Sequence, residues 1–238
     1  MTTAGEHRRT SEFLLAGFER RVLPKLAAAL PRWVMPDHMT ALGLLAATGI
    51  SACYMLSNRS EAWLWLASLL LVVQWLGDSL DGNLARYRRI ERPRYGYYLD
   101  HLTDAYSTLA IGLGLGLSPY MLLSVGLAIV IAYLILSINV YLETHVFGDF
   151  QFGYGRLGPT EARLALIGLN TIALVIGPLP FVVFGVPATV FDVGGMVAGV
   201  GMAGLLLVRA ARNLGALAAL EPPGQPRPDR SPDDSTPA

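Results

Sequence analysis

The sequence predicts an all-α, polytopic membrane protein with six transmembrane helices and an interfacial amphipathic helix ahead of the first. Three observations carry that prediction. Only 15% of residues are charged while 53% are hydrophobic, and mean hydropathy is +0.45; an ordinary soluble domain carries about 25% charged residues. Six apolar runs approach the roughly 20 residues that cross a hydrocarbon core. Of the 18 Lys and Arg residues, all but Arg59 fall on one side of the topology those runs define.

The elements follow in order. Leu14, Phe18, Val22, Leu26 and Leu30 recur every four residues, with Arg20, Arg21 and Lys25 off that stripe. This predicts a helix lying in the membrane interface or packed on the domain. The predicted spans are Thr40–Leu56, Ala62–Gly77 (continuing helically through Arg86), Gly96–Leu117, Tyr120–Leu142, Glu161–Phe184 and Val193–Leu220. Pro178 and Pro180 are expected to kink or end the fifth. The tail from Glu221 holds six prolines among small and charged residues and is expected to be disordered, with no chemistry. The chain therefore divides into a cytoplasmic segment with the interfacial helix (1–38), a membrane domain (39–220) and a tail (221–238).

Basic residues gather before the first span, between the second and third, around the loop before the fifth, and at the end of the sixth. By the positive-inside rule, both termini face the cytoplasm, which means the inner membrane in a bacterial cell. Zero formal net charge gives no electrostatic case for a nucleic-acid partner. Cys53 is the single cysteine and lies in an apolar run, so it reads as a packing residue and forms no internal disulfide. Gly112, Gly114 and Gly116, and Gly195 and Gly199, read as sites of close helix packing.

The chemistry concentrates between Asp78 and Asp104. Asp78 and Asp81 are three apart and share a helix face; Asp100 and Asp104 are four apart and share another. The two helices are joined by a short basic loop, so both pairs lie at one depth near the cytoplasmic boundary. An isolated carboxylate there costs several kcal/mol, so four together call for a compensating cation. Carboxylate donors suit Mg²⁺ or Mn²⁺, and no Cys–His set with zinc spacing is present. Two such ions can clamp a pyrophosphate for in-line displacement. Gly82 and Ala85 on one helix, and Gly96 opposite, leave room for a ligand at the backbone. Arg86 offers a bidentate fork to phosphate oxygens.

These residues spell Asp78-x-x-Asp81-Gly82-x-x-Ala85-Arg86, nine residues, then Gly96-x-x-x-Asp100-x-x-x-Asp104. The pattern resembles the CDP-alcohol phosphotransferases, whose eight defining positions are all present. The resemblance covers nearly all of residues 10 to 220. One departure is Pro36-Asp37-His38-Met39-Thr40, where many members carry Pro-Asn-x-x-Thr. It implies six transmembrane helices with a short interfacial helix, a homodimer, and two divalent ions held by Asp78, Asp81, Asp100 and Asp104. It implies that Gly82, Ala85, Arg86 and Gly96 line the cytidine nucleotide and its pyrophosphate. Asp104 is then the candidate base for an acceptor hydroxyl that attacks the β-phosphate of a CDP-linked alcohol donor, releasing CMP.

The loop after the fourth span reads Glu143-Thr144-His145-Val146-Phe147-Gly148, with Gly158-Pro159-Thr160-Glu161 following. It is similar to the choline and ethanolamine phosphotransferase branch, as is His101 after the third aspartate. That implies a CDP-aminoalcohol donor with a diacylglycerol acceptor, and makes Glu143 and His145 a candidate catalytic dyad. The competing branch joins CDP-diacylglycerol to a small polar alcohol such as glycerol phosphate, inositol phosphate or serine. Arg156, Arg163, Arg209 and Arg212 are available to a phosphorylated acceptor, or serve as positive-inside anchors. From other classes, a cation transporter also uses intramembrane carboxylates, and an inactive adaptor can keep the fold.

Overall fold

Helix starts in this chain are marked by proline. Pro36, Pro93 and Pro159 each open a helix in its first turn, where the missing N–H would have had no partner. In the computed structural model, which describes residues 14–147, 158–177, 180–183 and 185–221, seven helices form. They are α1 (Ala16–Ala29), α2 (Pro36–Leu56), α3 (Trp63–Arg88), α4 (Pro93–Gly116), α5 (Leu123–Phe147), α6 (Pro159–Ile176) and α7 (Val190–Leu220).

The chain is mostly helical, and five helices, α2, α3, α5, α6 and α7, are long and apolar enough to cross a membrane. The sequence predicts six such spans. The missing one is α4, whose 24 residues measure about 36 Å at the α-helical rise. Its length suffices, but Asp100, His101 and Asp104 dilute its apolar character. α5 and α7 each carry an outward apolar face, with Ile138, Val197, Val200 and Leu207 more than half exposed. Such a surface suits lipid rather than water.

Two further differences concern ends. The fifth predicted span stops at Ile176, short of Phe184, because Gly177 turns with φ +89°. A two-stranded antiparallel hairpin follows, Phe181–Val183 (β1) paired with Val186–Ala188 (β2), a small addition to an otherwise helical chain. In α1 the buried positions are Ala16, Leu23 and Ala27, while Leu14 and Phe18 of the expected stripe are exposed. Leu23 and Ala27 pack with Val34, Met39, Leu80 and Leu84, so α1 docks on α3. The expected tail from Pro222 onward and most of the loop with Gly148 and Arg156 lie outside the described residues.

The helices approach closely where small residues meet. A Cβ on Gly77 of α3 would lie 2.5 Å from the Gly43 nitrogen of α2, and one on Gly114 of α4 would lie 2.5 Å from the Ser51 Cα of α2. Gly112 and Gly116 meet α5 in the same manner, and Gly195 of α7 meets Val125 and Ile129. Gly199 has nothing within 4 Å. The main core, with Ile50, Tyr54, Leu64, Leu71, Tyr120 and Phe191, lies toward the far end of the bundle from the aspartates.

Candidate active site

The aspartates sit where α3 leaves the core. Leu80 and Leu84 are buried against α1 and α2, so the neighbouring Asp78 and Asp81 turn aside into a small cleft. That cleft is lined by Thr40, Gly43, Gln74, Asp78, Asp81, Thr103 and Ser107, from α2, α3 and α4. The Gly43–Gly77 crossing lets α2 come near enough for Thr40 Oγ1 to donate to Asp81 Oδ2 at 2.8 Å. The backbone N–H of Gly82 donates to Asp81 Oδ1.

The structure brings the four carboxylates into one electrostatic neighbourhood. Asp104 lies beside Asp78 within hydrogen-bonding reach and feels Asp100 and Arg163; Asp81 feels Asp78 and Asp100. On Asp78 the counter-charge is Arg163 of α6, whose Nη2 donates to Oδ2 at 2.6 Å and whose Nε donates to Gln74 Oε1. Asp100 is more open, with 44% of its side chain exposed, and lies 3.3 Å from His101 Nδ1. The His101 ring packs between Tyr97 and Tyr141, which ties α4 to α5 at this level.

Four neighbouring carboxylates, of which Asp78 is paired with Arg163, offer the oxygen donors that suit a divalent cation. As the side chains stand, no three carboxylate or imidazole groups among the described residues converge within ligating reach.

The predicted ligand-lining positions are open. Arg86 is exposed and folds over Gly82, where an added Cβ would lie 3.3 Å from its Nη1. Gly96 has nothing within 4 Å of such a Cβ, and Ala85 is half-buried on the same face of α3. The Pro36–Thr40 segment is held firmly. Asp37 pairs with Arg92 at the start of α4, and His38 Nδ1 accepts from the Met35 N–H. Arg88, in the last turn of α3, donates to the carbonyls of Leu30, Pro31, Arg32 and Val34.

Glu143 and His145 are placed differently. The Glu143 carboxylate accepts from Arg209 Nε and Nη2 and from Asn213 and Asn139, a largely buried bridge between α5 and α7. His145, two residues on and so about 200° around the helix, is exposed in the last turn of α5. The structure does not bring the two together. Arg212 is exposed on α7.

Sequence reasoning did not single out Gln74, Ser107 or Thr103. Gln74 carried a signal, being a lone polar residue one turn before Asp78 in an apolar run.

Comparison with known proteins agrees with this geometry. A family model described as CDP-alcohol phosphatidyltransferase matches residues 33–208. The chain is 31% identical over 107 residues to a phosphatidylinositol phosphate synthase of Cutibacterium acnes, covering 44% of this chain and 49% of the relative. It is 26% identical over 190 residues to cholinephosphotransferase 1 of Danio rerio, covering 73% and 48%. It is 33% identical over 99 residues to a CDP-diacylglycerol–glycerol-3-phosphate 3-phosphatidyltransferase of Cereibacter sphaeroides, covering 40% and 44%. The aligned regions span about half the length of these curated relatives.

Proposed function

Since this chain belongs to the CDP-alcohol phosphatidyltransferase family, we propose that it transfers a phosphoalcohol group from a CDP-linked donor to an acceptor hydroxyl, releasing CMP, in phospholipid synthesis. The observation that carries this reading is that Asp78 and Asp81 line one cleft between α2, α3 and α4, with Asp100 and Asp104 of α4 near enough to interact with them electrostatically. α4 serves as the sixth membrane span, with the cleft and both termini on the cytoplasmic side where a soluble nucleotide has access. The chain works as a homodimer.

Asp78, Asp81, Asp100 and Asp104 hold two divalent ions, Mg²⁺ or Mn²⁺. Such ions, when bound, neutralise charge building on the pyrophosphate oxygens. Gly82, Ala85 and Gly96 give the nucleotide a floor without side-chain bulk, and Arg86 folds over that floor to grip a phosphate oxygen. Thr40 fixes the rotamer of Asp81 through its hydroxyl. Asp104, beside Asp78, accepts the proton of the acceptor hydroxyl as oxygen attacks the β-phosphate and the bond to CMP breaks. We assign the base to Asp104 rather than to His145, because His145 is exposed and Glu143 is committed to Arg209.

The acceptor is diacylglycerol and the donor a CDP-aminoalcohol. A phosphorylated acceptor would need free basic residues in the pocket. Arg163 and Arg209, two of the arginines suited to that task, are already paired with Asp78 and Glu143. The likeness to a cholinephosphotransferase over most of this chain supports the same choice. The alternative, CDP-diacylglycerol with a small polar alcohol, has support from the other two relatives. Family membership weighs against a cation transporter.

A panel separates these readings. Purified protein in lipid nanodiscs is given labelled CDP-choline, CDP-ethanolamine or CDP-diacylglycerol, each with its acceptors, with and without Mn²⁺ or Mg²⁺. Acceptor-dependent CMP release from an aminoalcohol donor is expected. Release from CDP-diacylglycerol alone would select the alternative, and no release from any donor would refute the enzymatic reading.

A further inference from the structure

Arg163 holds Asp78 while also being held itself. Its Nη2 meets Asp78 Oδ2 at 2.6 Å, and its Nε is fixed by Gln74, which is only 2% exposed. The guanidinium side chain is 12% exposed and Asp78 23%, so water screens the pair weakly. The helix that carries Arg163 is anchored independently. Thr160 donates to Glu19 of α1, and Glu161 accepts the backbone N–H groups of Leu15 and Gly158. The start of α6 is therefore held by contacts that do not involve the Arg163 side chain.

This arrangement has a cost for a carboxylate that is to bind metal. An oxygen in a charge-assisted bond to guanidinium donates less to a cation, and the guanidinium charge repels an incoming one. It also holds the Asp78 carboxyl toward α6. Resting on the carboxylate-site reading above, we infer that Arg163 is a resident counter-ion, one that a divalent cation displaces from Asp78. Without metal it neutralises Asp78; with metal it moves aside within the cleft. Arg163 is thus a positioning residue that sets how readily the site loads.

The test is direct Mn²⁺ titration of the nucleotide-free protein in nanodiscs, read by electron paramagnetic resonance, with melting temperature measured at zero and saturating Mn²⁺. Arg163→Gln is expected to bind Mn²⁺ about tenfold more tightly than wild type, the low end of the effect that neighbours of metal ligands exert. Its melting temperature falls without metal and returns toward wild type with it. Arg163→Lys keeps the cation, guards against loss of fold, and lies between. Unchanged or weaker Mn²⁺ binding in folded Arg163→Gln, with wild type binding normally, overturns this inference alone. Wild type that binds no Mn²⁺ overturns the carboxylate-site reading and this inference together.

Discussion

Replacing Asp104 with Asn keeps its size and removes the basic oxygen. Asp104→Asn is expected to lower CMP release at least about 100-fold, the lower range for loss of a general base, with an unchanged melting temperature. His145→Ala, at an exposed position outside the lining of the cleft, is expected to lose less than about tenfold. The reverse order of effects would move the base to His145. Glu143 has a different task. Glu143→Gln leaves Arg209 largely buried without its carboxylate, which costs about 3 kcal/mol. A thermal melt in nanodiscs should show that loss while residual folded protein retains turnover. The aspartates were legible as a cluster because helical spacing alone puts Asp78 with Asp81 and Asp100 with Asp104. Arg163 on Asp78 was not, since the pair is 85 positions apart and only the packing of α6 against α3 joins them.

Helix crossings decide whether those side chains meet. α2 and α3 touch at Gly43 and Gly77, and Thr40 reaches Asp81 because of that approach. Gly77→Ala forces a methyl to within 2.5 Å of the Gly43 nitrogen, so the helices must part, at about 1–3 kcal/mol for overpacking. We expect a lower melting temperature and weaker Mn²⁺ binding. Gly199→Ala, with open space around it, is expected to be neutral or slightly stabilising, because alanine favours a helix over glycine. Equal effects at both sites would show that the crossing is not tight. The same elements show where pattern reading fails. In α1, periodicity selected Leu14, Phe18, Val22, Leu26 and Leu30; Leu26 and Leu30 do pack on the core and Phe18 stacks on Trp75, but the fully buried contacts are Ala16, Leu23 and Ala27. Near a bilayer a large apolar side chain can face lipid while small alanines face protein, and hydrophobicity does not separate the two. The hairpin after α6 escaped for a simpler reason: its strands are three residues each, and the first, Phe181–Val183, read as a continuation of the apolar run.

Orientation belongs to the chain as a whole. Lys and Arg gather on one side, with Arg59 alone opposite, and this predicts a cytoplasmic cleft. Cys53 is buried at 3% exposure, so it gives little background in a labelling experiment. Ser60→Cys in the α2–α3 loop should react with an impermeant maleimide from outside intact cells. Glu91→Cys in the α3–α4 loop should react only after permeabilisation; the opposite pattern would invert the topology. Five of the six spans read from the sequence are helices long and apolar enough to cross a membrane; the remaining one, α4, forms a helix of sufficient length in which Asp100, His101 and Asp104 weaken the apolar signal.

The central claim is that the α3 and α4 aspartates together hold divalent cations. Anomalous diffraction at the manganese edge, from crystals soaked in Mn²⁺, tests it most directly. The account predicts strong peaks in the cleft bonded to oxygens of Asp78, Asp81, Asp100 and Asp104, lost in Asp78→Asn with Asp100→Asn. An empty cleft at saturating Mn²⁺, with the four carboxylates turned away from one another, would contradict it.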